Sequence, residues 1–164
     1  MSLLIKNKII FLVALLIVDQ ASKLVALKNL ILGQSISVFP YFDFTLVFNT
    51  GVAFSLFSGG GELGRWILVL LVLLVLLYLA YVLFKEKLND FESLSLLLIL
   101  SGGIGNLLDR TFRGYVVDFI HLYYENYSFY VFNFADTYIT IGVIIYIVGM
   151  IYQYNSKENE NQAS

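Results

Sequence analysis

The chain has no cysteine. That absence removes disulfides, thiolate metal ligands and a cysteine nucleophile together. Histidine is almost as scarce, with His121 standing alone. Neither an H-E-x-x-H helix nor a three-histidine zinc site can be built from one imidazole. A Ser-His-Asp triad would have to use His121, and no G-x-S-x-G elbow accompanies it; His121 reads instead as an interfacial side chain. Charge is short as well. Asp, Glu, Lys and Arg make up 13% of the residues, against about 25% in an average soluble domain. The net charge of −2 leaves no basic footprint for nucleic acid. Gly59-Gly60-Gly61 lacks the Lys-Ser/Thr that would complete a phosphate-binding loop. Ser22 and Lys23, adjacent on a helix, point apart and cannot form a Ser-Lys dyad.

What is present is apolar: 59% of the 164 residues are hydrophobic, too many for a small soluble domain to cover with polar surface. Four apolar segments stand out, at residues 9–27, 66–84, 93–108 and 137–154, the third giving a helix at 93–110. A bilayer core of roughly 30 Å takes about 20 helical residues to cross. The second and fourth segments reach that length unaided, and the third must extend past its polar end. Inside lipid, runs this apolar are helices, because every backbone group must find an internal partner. The first segment could be a cleaved leader, with Lys6 and Lys8 before a short apolar run. Asp19-Gln20 stands where small cleavage-site residues would be needed, and apolar character resumes after Lys23, so a retained helix is expected.

Four crossings put both termini on one side. Lys6, Lys8, Lys85, Lys87 and Lys157 then oppose Lys28, Arg65, Arg110 and Arg113, and this excess places both termini in the cytoplasm. Residues 28–62 and 111–136 become the extracytoplasmic segments, and residues 156–164 a polar cytoplasmic tail expected to lack structure. Phe42 to Phe48, rich in β-branched and aromatic residues, reads as strand, with Gly51 and Gly59-Gly60-Gly61 marking turns. Residues 119–134 are crowded with Tyr and Phe, as expected at headgroup level. No internal repeat supports a transporter built from duplicated halves.

Ionisable groups in such a chain are costly, by about 2.5–3.5 kcal/mol each on insertion scales. Asp19, Lys23, Asp109, Arg110, Asp118 and Asp136 all lie in or beside apolar segments. Asp19 and Lys23, at i and i+4 with the acid first, can pair with one another. Asn106, Asp109 and Arg110 share a face of the third helix. Gly102, Gly103 and Gly105 precede them and permit close approach of a neighbour. Asp109 beside Arg110 is expected to order the helix end. Asp118 and Asp136 differ, because neither has a Lys or Arg within four positions. The plainest use of Asp136 is as an N-cap of the fourth helix. Two unpaired aspartates gathered at one end of a bundle favour chemistry over capping. A carboxylate relay in a small transporter is the main alternative, and a non-catalytic assembly factor a third.

The polar residues fall into five blocks. They are Asp19-Gln20-Ala21-Ser22-Lys23; Asn49-Thr50-Gly51-Val52-Ala53-Phe54; Gly103-Ile104-Gly105-Asn106-Leu107-Leu108-Asp109-Arg110; Val117-Asp118-Phe119; and Phe132-Asn133-Phe134-Ala135-Asp136. In this order they resemble the successive motifs of lipoprotein signal peptidase, the bacterial signal peptidase II, over nearly the whole chain. Every polar motif position is matched; Val52, where a small residue is common, bears on packing.

The resemblance implies an all-α membrane bundle of four transmembrane helices with a small extracytoplasmic β-sheet cradle. It implies an aspartic endopeptidase of the bacterial cytoplasmic membrane. Its substrates would be prolipoproteins, cut just before a cysteine that already carries diacylglycerol. The catalytic pair maps to Asp118 and Asp136. Asn49, Gly51, Asn106, Arg110 and Asn133 become candidates for holding substrate or dyad, with Asp19, Lys23 and Asp109 in support. No metal or cofactor is expected, a monomer is, and globomycin-type cyclic peptides would occupy the substrate groove.

Overall fold

A computed structural model describes residues 3–51, 61–125 and 127–163. Val52, Ala53 and Phe54 of the second block and the expected turn at Gly59-Gly60 lie outside them. The order of elements is α1 (Leu3–Asn29), β1 (Ser35–Phe39), β2 (Phe42–Asn49), α2 (Gly61–Lys85), α3 (Asp90–Phe112), β3 (Val116–Tyr124), β4 (Tyr127–Ser128) and α4 (Phe134–Ala163). Four helices among the described residues are long and apolar enough to cross a membrane. Each extends beyond the apolar run that announces it. The polar tail expected to lack structure instead prolongs α4 as far as Ala163, since Asn, Lys, Glu and Gln can continue a helix that the apolar span has already nucleated.

α3 is the central helix and packs against α1, α2 and α4. It is also the least hydrophobic of the four, at a mean hydropathy of 1.5 against 3.2 for α2. Half of its apolar window is buried, against 17% in each of the others. A helix sheltered by protein can carry polar groups, whereas lipid-facing α2 cannot. Its start is fixed by a capping box: Asn89 Oδ1 accepts from Glu92 N, and Glu92 Oε2 accepts from Asn89 N, both at 2.9 Å. Leu76 and Leu83 of α2 interlock with Leu96, Leu97 and Leu100 of α3. On the other flank α3 meets α4 through glycine. A Cβ at Gly102 would collide with the Ala135 carbonyl oxygen, and one at Gly142 would lie 2.8 Å from that of Ser95. These helices therefore touch backbone to backbone, as small residues allow in membranes.

The four strands form one antiparallel sheet in the order β1-β2-β3-β4. The strand expected around Phe42 to Phe48 is β2. β3 was not foreseen as a strand, although it carries Asp118; Val116-Val117-Asp118-Phe119-Ile120 has the β-branched and aromatic composition that favours one. The β2–β3 register sets Val47 opposite Asp118 and Asn49 opposite Val116. That pairing brings the second and fourth sequence blocks together at the end of the bundle where α4 begins.

Candidate active site

Two polar clusters occupy the sheet end of the bundle. In the first, Lys23 is fully buried and its ammonium lies 2.9 Å from both Asp19 Oδ2 and Asp109 Oδ2, each carboxylate itself at 0% exposure. The pairing of Asp19 with Lys23 matches the spacing. That of Asp109 does not: its partners are Lys23 and, through Nη1, Arg113, rather than the adjacent Arg110. Neighbouring residues on a helix diverge by about 100°, whereas Arg113 at i+4 returns to the same face. Gln20 joins the cluster. Its Nε2 donates to Asp19 Oδ2, the Gly105 carbonyl and Asp109 Oδ1 at 3.1, 3.2 and 3.3 Å, and its Oε1 accepts from Arg113. Gly105 is required here because a Cβ would lie 2.5 Å from Asp19 Oδ2. Asp19 Oδ1 also accepts from Ala135 N at 3.0 Å, which ties α1 to the first turn of α4.

The second cluster is built on amides. Asp118 is 2% exposed. Its Oδ1 accepts from Asn133 Nδ2 at 2.6 Å and its Oδ2 from Asn49 Nδ2 at 3.1 Å. Asp136 Oδ1 accepts from Asn106 Nδ2 at 2.8 Å and Oδ2 from the Asn133 backbone at 3.2 Å. The alternative use of Asp136, as the cap of α4, falls to another residue. Asn133 is the cap, its Oδ1 accepting from Asp136 N at 2.9 Å. Asp136 supplies the reciprocal bond of the box and keeps its other oxygen for Asn106. One asparagine thus touches both aspartates and holds them at fixed separation.

The amides are oriented in their turn. Asn49 Oδ1 accepts from Gly51 N at 2.9 Å, so its NH2 faces Asp118. Gly51 has φ +92 and sits against Leu68, a conformation few residues other than glycine adopt. Asn106 Oδ1 accepts from Lys23 Nζ at 3.0 Å, which turns its NH2 toward Asp136. Lys23 therefore links the two clusters. Arg110 lies near the pair: the charges it feels most are those of Asp136, Asp118 and Asp109. Its Nε is buried and has no hydrogen-bond partner among the described residues.

Burial, and then the charge of Asp136, push the Asp118 carboxyl up from 3.8 to about 6, against the bonds from Asn49 and Asn133 and the charge of Lys23, which pull it down. Two close carboxylates cannot both ionise at little cost.

Gln20 and Arg113 escaped the sequence reading as site residues. Gln20 lay inside a recognised block, and Arg113, one turn beyond Asp109, was the available signal. His121 spans strands instead of serving the site: Nε2 meets Ser128 Oγ at 2.7 Å and Nδ1 meets Thr45 Oγ1 at 3.4 Å.

Four helices long and apolar enough to cross a membrane, with an amide-clamped aspartate pair at one end, are the arrangement of a membrane protein. Known proteins agree with that class. The family profile described as Signal peptidase (SPase) II matches residues 11–152. The chain belongs to that family. It is 38% identical over 137 residues to a lipoprotein signal peptidase of Polynucleobacter necessarius, covering 84% of each chain. With that of Serratia marcescens it shares 36% over 129 residues, 79% of this chain and 75% of the other. A bacterial membrane enzyme solved at 1.9 Å superposes with a TM-score of 0.79 and 32% identity, over 89% of this chain and 93% of that one.

Proposed function

We propose that this chain is an aspartic endopeptidase that removes the signal peptide from diacylglyceryl-modified prolipoproteins, cutting before the lipidated cysteine. The observation that carries the reading is Asn133, which donates to Asp118 and exchanges two bonds with Asp136. The ionised member of the pair takes a proton from water, which attacks the scissile carbonyl. The protonated member hydrogen-bonds the carbonyl oxygen, and a proton then passes to the leaving amine. Arg110, close enough to feel the charges of both Asp136 and Asp118, holds a main-chain carbonyl of the substrate. Asn49, Asn106 and Gly51 position the dyad, and Asp19, Lys23 and Asp109 brace the helices that carry it.

The sheet faces the extracytoplasmic side with both termini in the cytoplasm, so the scissile bond is met at the outer membrane surface while its acyl chains stay in lipid. The protein acts as a monomer in the bacterial cytoplasmic membrane. A proton relay would need carboxylates spread through the bilayer depth; here Asp109, Asp118 and Asp136 gather at one end.

The test is incubation of purified protein with a diacylglyceryl-modified precursor, with and without globomycin. The expected result is a single cut before the modified cysteine, suppressed by the inhibitor. Failure to cleave, or equal cleavage of unmodified precursor, would overturn the reading.

A further inference from the structure

Between the C-terminal end of α1, the sheet and the start of α4 lies a cavity of about 550 Å³, the size of a small-ligand site. Val25 and Ala26 of α1, Phe42 and Phe44 of β2, Phe119 of β3 and Phe134 of α4 supply most of its wall. Two polar side chains, Ser22 and Asn29, also line it, but both spend their donors on their own helix. Ser22 Oγ donates to the Asp19 carbonyl at 2.7 Å, and Asn29 Nδ2 to that of Val25 at 2.8 Å. The wall therefore offers a ligand little but carbon. A polar ligand would enter without partners, and ordered water needs two to four of them. A hydrocarbon chain fits the chemistry.

Two observations say whose chain it is. The cavity is continuous with the lipid-facing surface of α1: Val25 on its rim is 60% exposed, and Ile17, Val18 and Leu24 are exposed on the turns beside it. It also lies behind the dyad. Side chains alternate along a strand, so Phe119 leaves β3 opposite Asp118. Phe134 and Asp136, two residues apart on α4, diverge by roughly 200°. The Phe119 and Phe134 rings meet edge to face at 6.0 Å in the cavity wall. A substrate held at Asp118 lies across β3 from this space, which opens instead toward the exposed apolar face of α1.

We propose that one hydrocarbon chain of a bilayer phospholipid occupies this cavity and buttresses the two segments that carry Asp118 and Asp136. The enzyme is then activated by lipid independently of the lipid on its substrate.

The test uses delipidated full-length protein at constant detergent. It is titrated with long-chain phosphatidylglycerol, and in parallel with a phosphatidylglycerol whose chains are too short to fill the cavity. Retained lipid by mass spectrometry, the unfolding midpoint and the rate of precursor cleavage are read together. The long-chain lipid is expected to be retained at one per chain, to raise the midpoint with concentration, and to raise the rate several-fold. The short-chain lipid should do none of these. Ala26→Leu, filling the cavity, and Val25→Trp, covering its rim, should lose both the retained lipid and the response to it. An unchanged wild-type midpoint would overturn the proposal, as would an undiminished response in folded variants. A KM for precursor that rises in the variants with the length of the precursor's own acyl chains would assign the cavity to substrate instead. If Ala26→Leu does not fold, Val25→Trp on the exposed rim decides. Lipid retention and the midpoint need no catalysis, so they stand even where the peptidase reading fails.

Discussion

Two pairs of buried aspartates lie within one network and have opposite surroundings. Asp19 and Asp109 are held by cations, Lys23 between them and Arg113 beyond. Asp118 and Asp136 are held by the amides of Asn49, Asn106 and Asn133. Both environments satisfy carboxylate oxygens. A cation fixes the charge state as well as the position, because removing the carboxylate charge strands its partner. An amide fixes position and leaves the proton free to move. The first pair is therefore suited to joining α1 to α3, and the second to chemistry. The comparison also explains why so polar an assembly is tolerated in an apolar bundle: every charge in the first cluster is matched, and in the second each carboxylate oxygen accepts from an amide N–H.

The strongest way to break this comparison is to remove one charge from the amide-held pair. Asp118→Asn and Asp136→Asn keep the shape of each site and should each lower precursor cleavage by at least about a hundredfold, with membrane insertion and thermal unfolding retained. Near-normal turnover in either variant would reassign the dyad. Next in size is Lys23→Met, which leaves Asp19 and Asp109 facing each other without their shared cation. A loss of about 3–5 kcal/mol is expected from an uncompensated buried charge, read as a fall in unfolding midpoint and yield. Adding Asp19→Asn should restore part of it. Full stability in Lys23→Met would mean that the first cluster braces nothing.

The third prediction concerns pH. The folded-state pKa of Asp118 is raised to about 6 from 3.8, so the folded protein binds more protons than the unfolded one between those values. Its contribution to stability is present below about pH 4 and lost as pH rises through about 6, on the order of 3 kcal/mol in all. Wild type should lose that much more stability than Asp118→Asn across pH 4 to 7, measured by denaturant unfolding in detergent. Parallel profiles would show that the amide-held carboxylate is no less content when charged than a free one. The smallest effect is expected of Asp109→Asn, because Asp19 still neutralises Lys23 and the partly exposed Arg113 can turn to water. Lower yield with retained activity is expected; normal yield with no activity would move Asp109 into the site.

Sequence alone carried the coarse architecture because hydrophobicity is a local property. Four apolar runs mean four helices in lipid, whatever their packing. It also separated Asp118 and Asp136 from the other carboxylates, since the nearest Lys or Arg in the chain is a local fact too. It misjudged Asp109, whose partners are Lys23, 86 positions earlier, and Arg113, one turn along. It weighed a cap role for Asp136 and never considered Asn133, which is the cap, because two polar residues three apart on a helix start are symmetric candidates until their bonds are seen. It did not foresee β3, where a short apolar run is ambiguous between strand and helix.

What the sequence by itself determined is therefore the solvent this chain lives in, the number of its crossings and the residue types available for chemistry. Only the tertiary structure decided which aspartates meet cations and which meet amides. That choice depends on side chains brought from α1, β2, α3, β3 and α4 to one end of the bundle, and no spacing along the chain records a distance across it.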